Sequence, residues 1–136
     1  MRLLLDTHIL IWLAEGHPKL PVKSRRYIDR IAARHGLAVS AISFWEASML
    51  GLKGRIALTR PITDWRNDVL ATPSIIEIAV SGDIGIEAVN LPAGLHDDPA
   101  DRFLVATARL HSFALATRDL RLLEYANAGH VVATEL

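Results

Sequence analysis

Apolar residues fall into two patterns along this chain. Short runs at Arg2 to Leu5, Leu37 to Val39, Ile75 to Ile78, Phe113 to Ala116 and His130 to Ala133 predict strands, and their nearly unbroken apolar character suits strands covered on both faces. Longer segments between them predict helices: Ile9 to Leu13 continuing to Gly16, Val22 to His35, Ser40 to Leu52, Ile62 to Leu70, Asp83 to Val89, Asp98 to Leu110, and one more short helix before the last strand. In Val22 to His35, Tyr27, Ile28, Ile31 and Ala32 share one face, while Lys23, Arg26, Arg30 and Arg34 lie on the other and Gly36 supplies the stop. Strand and helix alternate with no hairpin signal and no internal repeat. Over 136 residues this predicts a single domain, 1–136, of the α/β class, in which a central parallel sheet of four to five short strands lies between two helical layers.

Helix starts carry acids. Asp98-Pro99-Ala100-Asp101 reads as an N-cap, a proline at the first helical position and a carboxylate on the positive end of the helix dipole. Ser43 and Glu46 have capping-box spacing, which predicts a helix start there. Asp6 resists such a structural role, because it ends an apolar strand where an unpaired carboxylate is costly.

Composition narrows the chemistry. Hydrophobic residues make up 51% of the chain and aromatics 6%, so the core is built mostly from Leu, Ile, Val and Ala. Cysteine is absent, which excludes disulfides, zinc–thiolate sites and thiol nucleophiles and suits a reducing cytoplasm. Asp6 and His8 interrupt the apolar start, and no apolar stretch reaches bilayer length, so a soluble protein with no membrane partner is expected. Net charge is zero, but His17 to Arg60 holds nine Lys/Arg against two acids, and Pro61 onward holds five against eleven. That asymmetry makes Lys23, Arg26, Arg30 and Arg34 candidates for a cationic surface beside an acidic site, able to contact nucleic-acid phosphates, with a solvated helix face as the plain alternative.

In an open parallel sheet, functional groups gather beyond the carboxyl ends of the strands. Asp6 and Asp119 follow strands, and Glu46 and Asp101 are expected in the first turns of helices leaving the same edge. Four carboxylates in one pocket repel one another, so they take up protons or bind a cation, and an all-oxygen donor set selects Mg²⁺ or Mn²⁺ over zinc. One or two such ions can activate water against a phosphodiester.

Leu3-Leu4-Leu5-Asp6-Thr7-His8, Ser43-Phe44-Trp45-Glu46, Asp98-Pro99-Ala100-Asp101-Arg102 and Thr117-Arg118-Asp119 together resemble, in order and spacing, the PIN-domain proteins, and among them the VapC-like toxins. The resemblance covers nearly the whole chain. It implies a catalytic and metal-binding set of Asp6, Glu46, Asp101 and Asp119, with Thr7, Thr117 and Asp98 as surrounding polar groups. It also implies Mg²⁺-dependent hydrolysis of RNA, a small antitoxin partner and a homodimer, for which the apolar first helix, Ile9 to Leu13, is the expected surface. Many such proteins carry Lys four residues after the Glu; Leu50 stands there in this chain, and Lys53 could reach a similar region. His8 and His96 read as polar surface groups or neighbours of acids. Trp12, Trp45 and Trp65 read as core or antitoxin-contact residues rather than base-stacking platforms.

Three other readings share some of these features. A receiver-like phospho-accepting module has the same architecture, but needs adjacent acids after its first strand and a late lysine. An aspartyl-phosphate phosphatase needs a second acid where His8 stands. A catalytically inactive binding protein could keep the fold.

Overall fold

In the computed structural model, which describes residues 1–136, the leucine run Leu3–Leu5 forms the central strand β1. The chain continues through α1 (Thr7–Glu15), α2 (Val22–His35), β2 (Leu37–Ser40), α3 (Ala41–Leu52), α4 (Ile62–Ala71) and β3 (Ile75–Ile78). Then follow α5 (Gly82–Val89), α6 (Pro99–His111), β4 (Ala114–Thr117), α7 (Leu120–Asn127) and β5 (Ala133–Glu135). The five strands are all parallel, in the order β3-β2-β1-β4-β5.

Side-chain alternation explains the unbroken apolar runs. Leu3 and Leu5, Leu37 and Val39, and Ala114 and Ala116 pack on one face with Ile9 and Leu10 of α1, Ile28 of α2, Phe44 of α3 and Trp65 of α4. Leu4, Ala38 and Leu115 point the other way, onto Leu104 and Ala108 of α6 and Leu122 and Tyr125 of α7. Both faces are therefore dry, and each buried leucine contributes about 1.5–3 kcal/mol relative to exposure.

Three expectations shift. The first helix begins at Thr7, so Ile9, Leu10 and Ile11 are all buried in the chain's own core and offer no surface to a second copy; the most exposed large apolar side chains lie elsewhere, at Leu52, Val89, Leu120 and Ile86. The last strand starts at Ala133 rather than His130, because pairing with β4 begins in the register Leu115 to Ala133, while His130 is held in the preceding loop against the Tyr125 ring. The third helix begins at Ala41, capped by Ser40, whose hydroxyl accepts from the Ile42 N–H at 3.1 Å. Ser43 is consequently not a cap. It is buried within the first turn, where its oxygen accepts a 2.9 Å hydrogen bond from the Thr7 hydroxyl and ties α3 to the start of α1. Glu46 thus sits in the second turn of α3, without a capping role.

Candidate active site at the carboxyl edge of the sheet

The side on which successive strands are added switches between β1 and β4, although the two run parallel. From β1 the order builds outward through β2 and β3, then returns to β4 and β5 on the other side, which leaves a crevice beyond the carboxyl ends of the two central strands. Asp6 occupies the N-cap position of α1, yet its carboxylate caps nothing. Its backbone N–H is held by the Ala116 carbonyl at 2.9 Å, and its Oδ2 accepts a 2.7 Å hydrogen bond from the buried Thr117 hydroxyl at the end of β4. The Thr117 oxygen in turn accepts from the Asp119 N–H at 3.0 Å, so one threonine fixes both acids flanking the crevice.

The other acids arrive on helices. Asp6, Glu46, Asp98, Asp101 and Asp119 all line one cavity of about 260 Å³, together with Ile9 and Trp12 of α1 and the cations Arg118 and Arg121. Asp98 caps α6, its carboxylate accepting from the Asp101 N–H at 3.3 Å. Asp119 likewise caps α7 by accepting from the Arg121 N–H at 2.8 Å. Asp101 is only 6% exposed; its Oδ2 lies 2.6 Å from His96 Nε2 and 3.8 Å from Arg121 Nη2. Arg121 also pairs with Asp119 at 3.2 Å.

These surroundings separate the acids electrostatically. Burial pushes the Asp6 carboxyl above its usual range, and nearby Glu46 adds to the rise, against the Thr117 hydrogen bond and His8. Burial also pushes Asp101 up, to about 7; the charges of Asp6, Asp98 and Asp119 reinforce it, while the His96 hydrogen bond opposes it. For Asp119 partial burial acts upward too, but the Arg121 guanidinium and backbone N–H groups outweigh it and hold the carboxyl below its usual range.

Residues 3–128 match the PIN domain family. The chain belongs to the PIN-domain family. Among curated proteins, this PIN domain is 32% identical over 119 residues, 88% of either chain, to Ribonuclease VapC22 of Mycobacterium tuberculosis. Among solved structures it is similar to a toxin–antitoxin complex from Klebsiella pneumoniae, with 27% identity, 98% of each chain covered and a TM-score of 0.63. It shares its fold with VapBC2 from Rickettsia felis, at 16% identity, a TM-score of 0.73, and 100% and 99% coverage.

The donor set of this PIN domain fits a hard divalent cation by its chemistry: every acid supplies oxygen, and five carboxylates line the pocket against two guanidinium groups. No three His, Asp or Glu side chains stand arranged as a finished ligand set, and Arg121 supplies part of the missing charge at Asp101 and Asp119. Reading the sequence missed this cation, although an arginine two residues after a capping Asp is within reach of it. The four basic residues proposed for RNA do not line the cavity. Helix α2 leads into the start of β2, so its Arg34 end lies at the edge of the sheet opposite the acids. Lys53 follows the far end of α3 and is exposed away from the cavity, while Leu50 packs against the core. Trp65 is a core residue, Trp45 is 47% exposed, and Trp12 lines the cavity.

Proposed function

We propose that this PIN domain is a divalent-metal-dependent ribonuclease, the toxin of a toxin–antitoxin pair. The observation that carries the reading is Asp6: a buried carboxylate at a helix start that makes no cap and meets Glu46, Asp101 and Asp119 in one crevice. Similarity to a protein named a ribonuclease, and to structures of toxin–antitoxin complexes, supports the activity and a small antitoxin as partner. Family membership leaves no support for the receiver or phosphatase readings.

Asp6, Glu46, Asp101 and Asp119 would hold Mg²⁺ or Mn²⁺, which when bound supplies Lewis-acid activation of water and of a phosphodiester. The chain's own groups preorganise that set. Thr117 fixes the Asp6 carboxylate and the Asp119 backbone; His96 orients Asp101 from inside; Asp98 holds the first turn of α6 that presents Asp101. Thr7 locks α1 to α3 through Ser43, and with it the spacing between Asp6 and Glu46.

Incubation of the purified protein with total cellular RNA and Mn²⁺ tests the reading. Cleavage to products with 5′-phosphate ends, stopped by chelation, is expected. Intact RNA, or products ending in cyclic phosphates, would overturn it.

A further inference from the structure

Two arginines line the acidic cavity, and they are placed differently. Arg121 is paired with Asp119 and Asp101. Arg118, which projects from the loop after β4, has no carboxylate within salt-bridge distance although five acids line the same cavity. Instead its guanidinium lies 5.8 Å from the centre of the Trp12 ring and donates through Nη1 to the backbone carbonyl of Lys19. The Lys19 ammonium is also over Trp12, at 5.9 Å, and both cations are exposed. Trp12 is itself half-buried at the cavity wall.

A guanidinium held by a ring and a carbonyl has lost its side-chain freedom before any ligand arrives, while most of its five N–H donors remain open. Its charge is uncompensated by protein and sits at the edge of a pocket lined by five carboxylates, whose other guanidinium, that of Arg121, is already paired with acids. Lys19 lies in the loop that leads into α2, whose first turns carry the exposed Lys23 and Arg26. An anion that must approach a carboxylate cluster needs such a fixed positive entrance, and a polyanionic strand can use several in series.

We propose that Arg118, seated on Trp12 and backed by Lys19, is the phosphate-binding entrance of the site: it takes a backbone phosphate of single-stranded RNA next to the bond presented to the acids. The proposal rests on the ribonuclease reading for its substrate. It assigns recognition to a cation of the β4 loop rather than to the middle of α2, and it gives Trp12 the role of positioning Arg118.

Fluorescence anisotropy with a labelled mixed-sequence 20-nucleotide RNA, in EDTA so that nothing is cut, tests it over a range of salt concentrations. Arg118→Ala is expected to weaken binding about tenfold and to flatten the slope of log affinity against log salt by about 0.7, the contribution of one phosphate contact on a single strand. Arg118→Lys is expected to recover the slope but not the full affinity. Arg60→Ala removes the same charge from the opposite edge, where Arg60 follows the Thr59 held by Glu15 at the end of α1, and is expected to leave the slope unchanged. If Arg118→Ala keeps the wild-type slope and merely melts earlier, the residue only staples two loops and the proposal fails. If Arg60→Ala flattens the slope equally, bulk charge is responsible and it fails too. Wild type that binds no RNA would sink the ribonuclease reading along with it, whereas wild type that binds while Arg118→Ala binds equally well would sink this inference alone.

Discussion

The two strand ends that flank the crevice are built from the same parts and use them oppositely. After β1, Asp6 stands at the N-cap of a helix, buried, making no cap, its carboxyl raised by burial. After β4, Asp119 stands at the N-cap of a helix too, but it makes the cap bond, takes an arginine, and is held below the usual carboxylate range. An acid that caps and pairs is locally stabilising, and structure alone accounts for it. An acid buried without cap or cation is destabilising in the free protein when ionised, so it takes up a proton or calls for a cation. The Thr117 hydroxyl joins the two, so the strained acid is aimed by the same residue that positions the relaxed one.

The sharpest way to break this contrast is Asp6→Asn, which keeps shape and the hydrogen bond from Thr117 while removing the charge. Activity is expected to fall at least about a hundredfold, the scale on which misplacing catalytic groups is felt. The metal-free variant is nonetheless expected to be more stable than wild type by about 1 kcal/mol, or about 3 °C in melting temperature, because a buried uncompensated charge has gone. Loss of activity together with a lower melting temperature would mean that Asp6 is structural after all.

Thr117→Val comes next. It removes the donor to Asp6 and the acceptor for the Asp119 N–H in one step, leaving both ends of the crevice loose. About tenfold lower kcat and about 1 kcal/mol lower stability are expected, the latter because a partly buried backbone donor is left without its partner. Thr117→Ser keeps the hydroxyl and should restore the rate. A valine variant as fast as wild type would remove Thr117 from the site's machinery.

Acidity separates the same two ends. Asp6 and Asp101 have folded pKa values raised above the usual 3.8, Asp101 to about 7, so the folded chain binds more protons than the unfolded one between those values. The Asp101 contribution to stability is fully present below pH 3.8 and is lost as pH rises through about 7; that of Asp6 is lost in the same direction. Asp119, whose carboxyl is lowered, contributes stability above pH 3.8 that is lost only as pH falls through its lower folded value, and so is silent between pH 5 and 8. The metal-free wild type should therefore lose several degrees more of melting temperature between pH 5.5 and 8 than Asp101→Asn does. Millimolar Mn²⁺ should return the loss at pH 8 and do little at pH 5.5. Equal pH profiles for the two proteins would show that Asp101 is not the group responsible.

Much of this was legible along the chain. Five parallel strands follow from apolar runs whose alternate residues serve opposite faces, as Leu3, Leu4 and Leu5 do. The convergence of Asp6, Glu46, Asp101 and Asp119 follows from strand ends and helix starts sharing one edge. What was not legible depended on side-chain reach or on a choice between equivalent signals. Ser40 and Ser43 are both sound N-caps by type; β2 extends to Ser40 and the helix starts directly after it, which leaves Ser43 for the buried bond to Thr7. His96 lies in a loop with no periodicity to orient it, and only the fold brings its ring to Asp101. Arg118 and Arg121 are three residues apart in sequence, and nothing in their spacing says that one turns to the acids and the other to Trp12.

The smallest effect belongs to the relaxed end. Asn is as good an N-cap as Asp, so Asp119→Asn keeps the bond from the Arg121 N–H and loses only its charge pairing with the guanidinium, whose side chain is 59% exposed. An ion pair that open to water is worth about 0.2–1 kcal/mol, and part of even that is returned because the neighbouring Asp101 then faces one repulsive charge fewer. The metal-free variant should consequently melt within about 2 °C of wild type, on the opposite side of it from Asp6→Asn or indistinguishable from it. Differential scanning calorimetry of the two variants side by side reads the difference directly. If Asp119→Asn raises the melting temperature as much as Asp6→Asn does, the two strand ends are electrostatically alike, and Asp6 loses its claim to be the acid that waits for a cation.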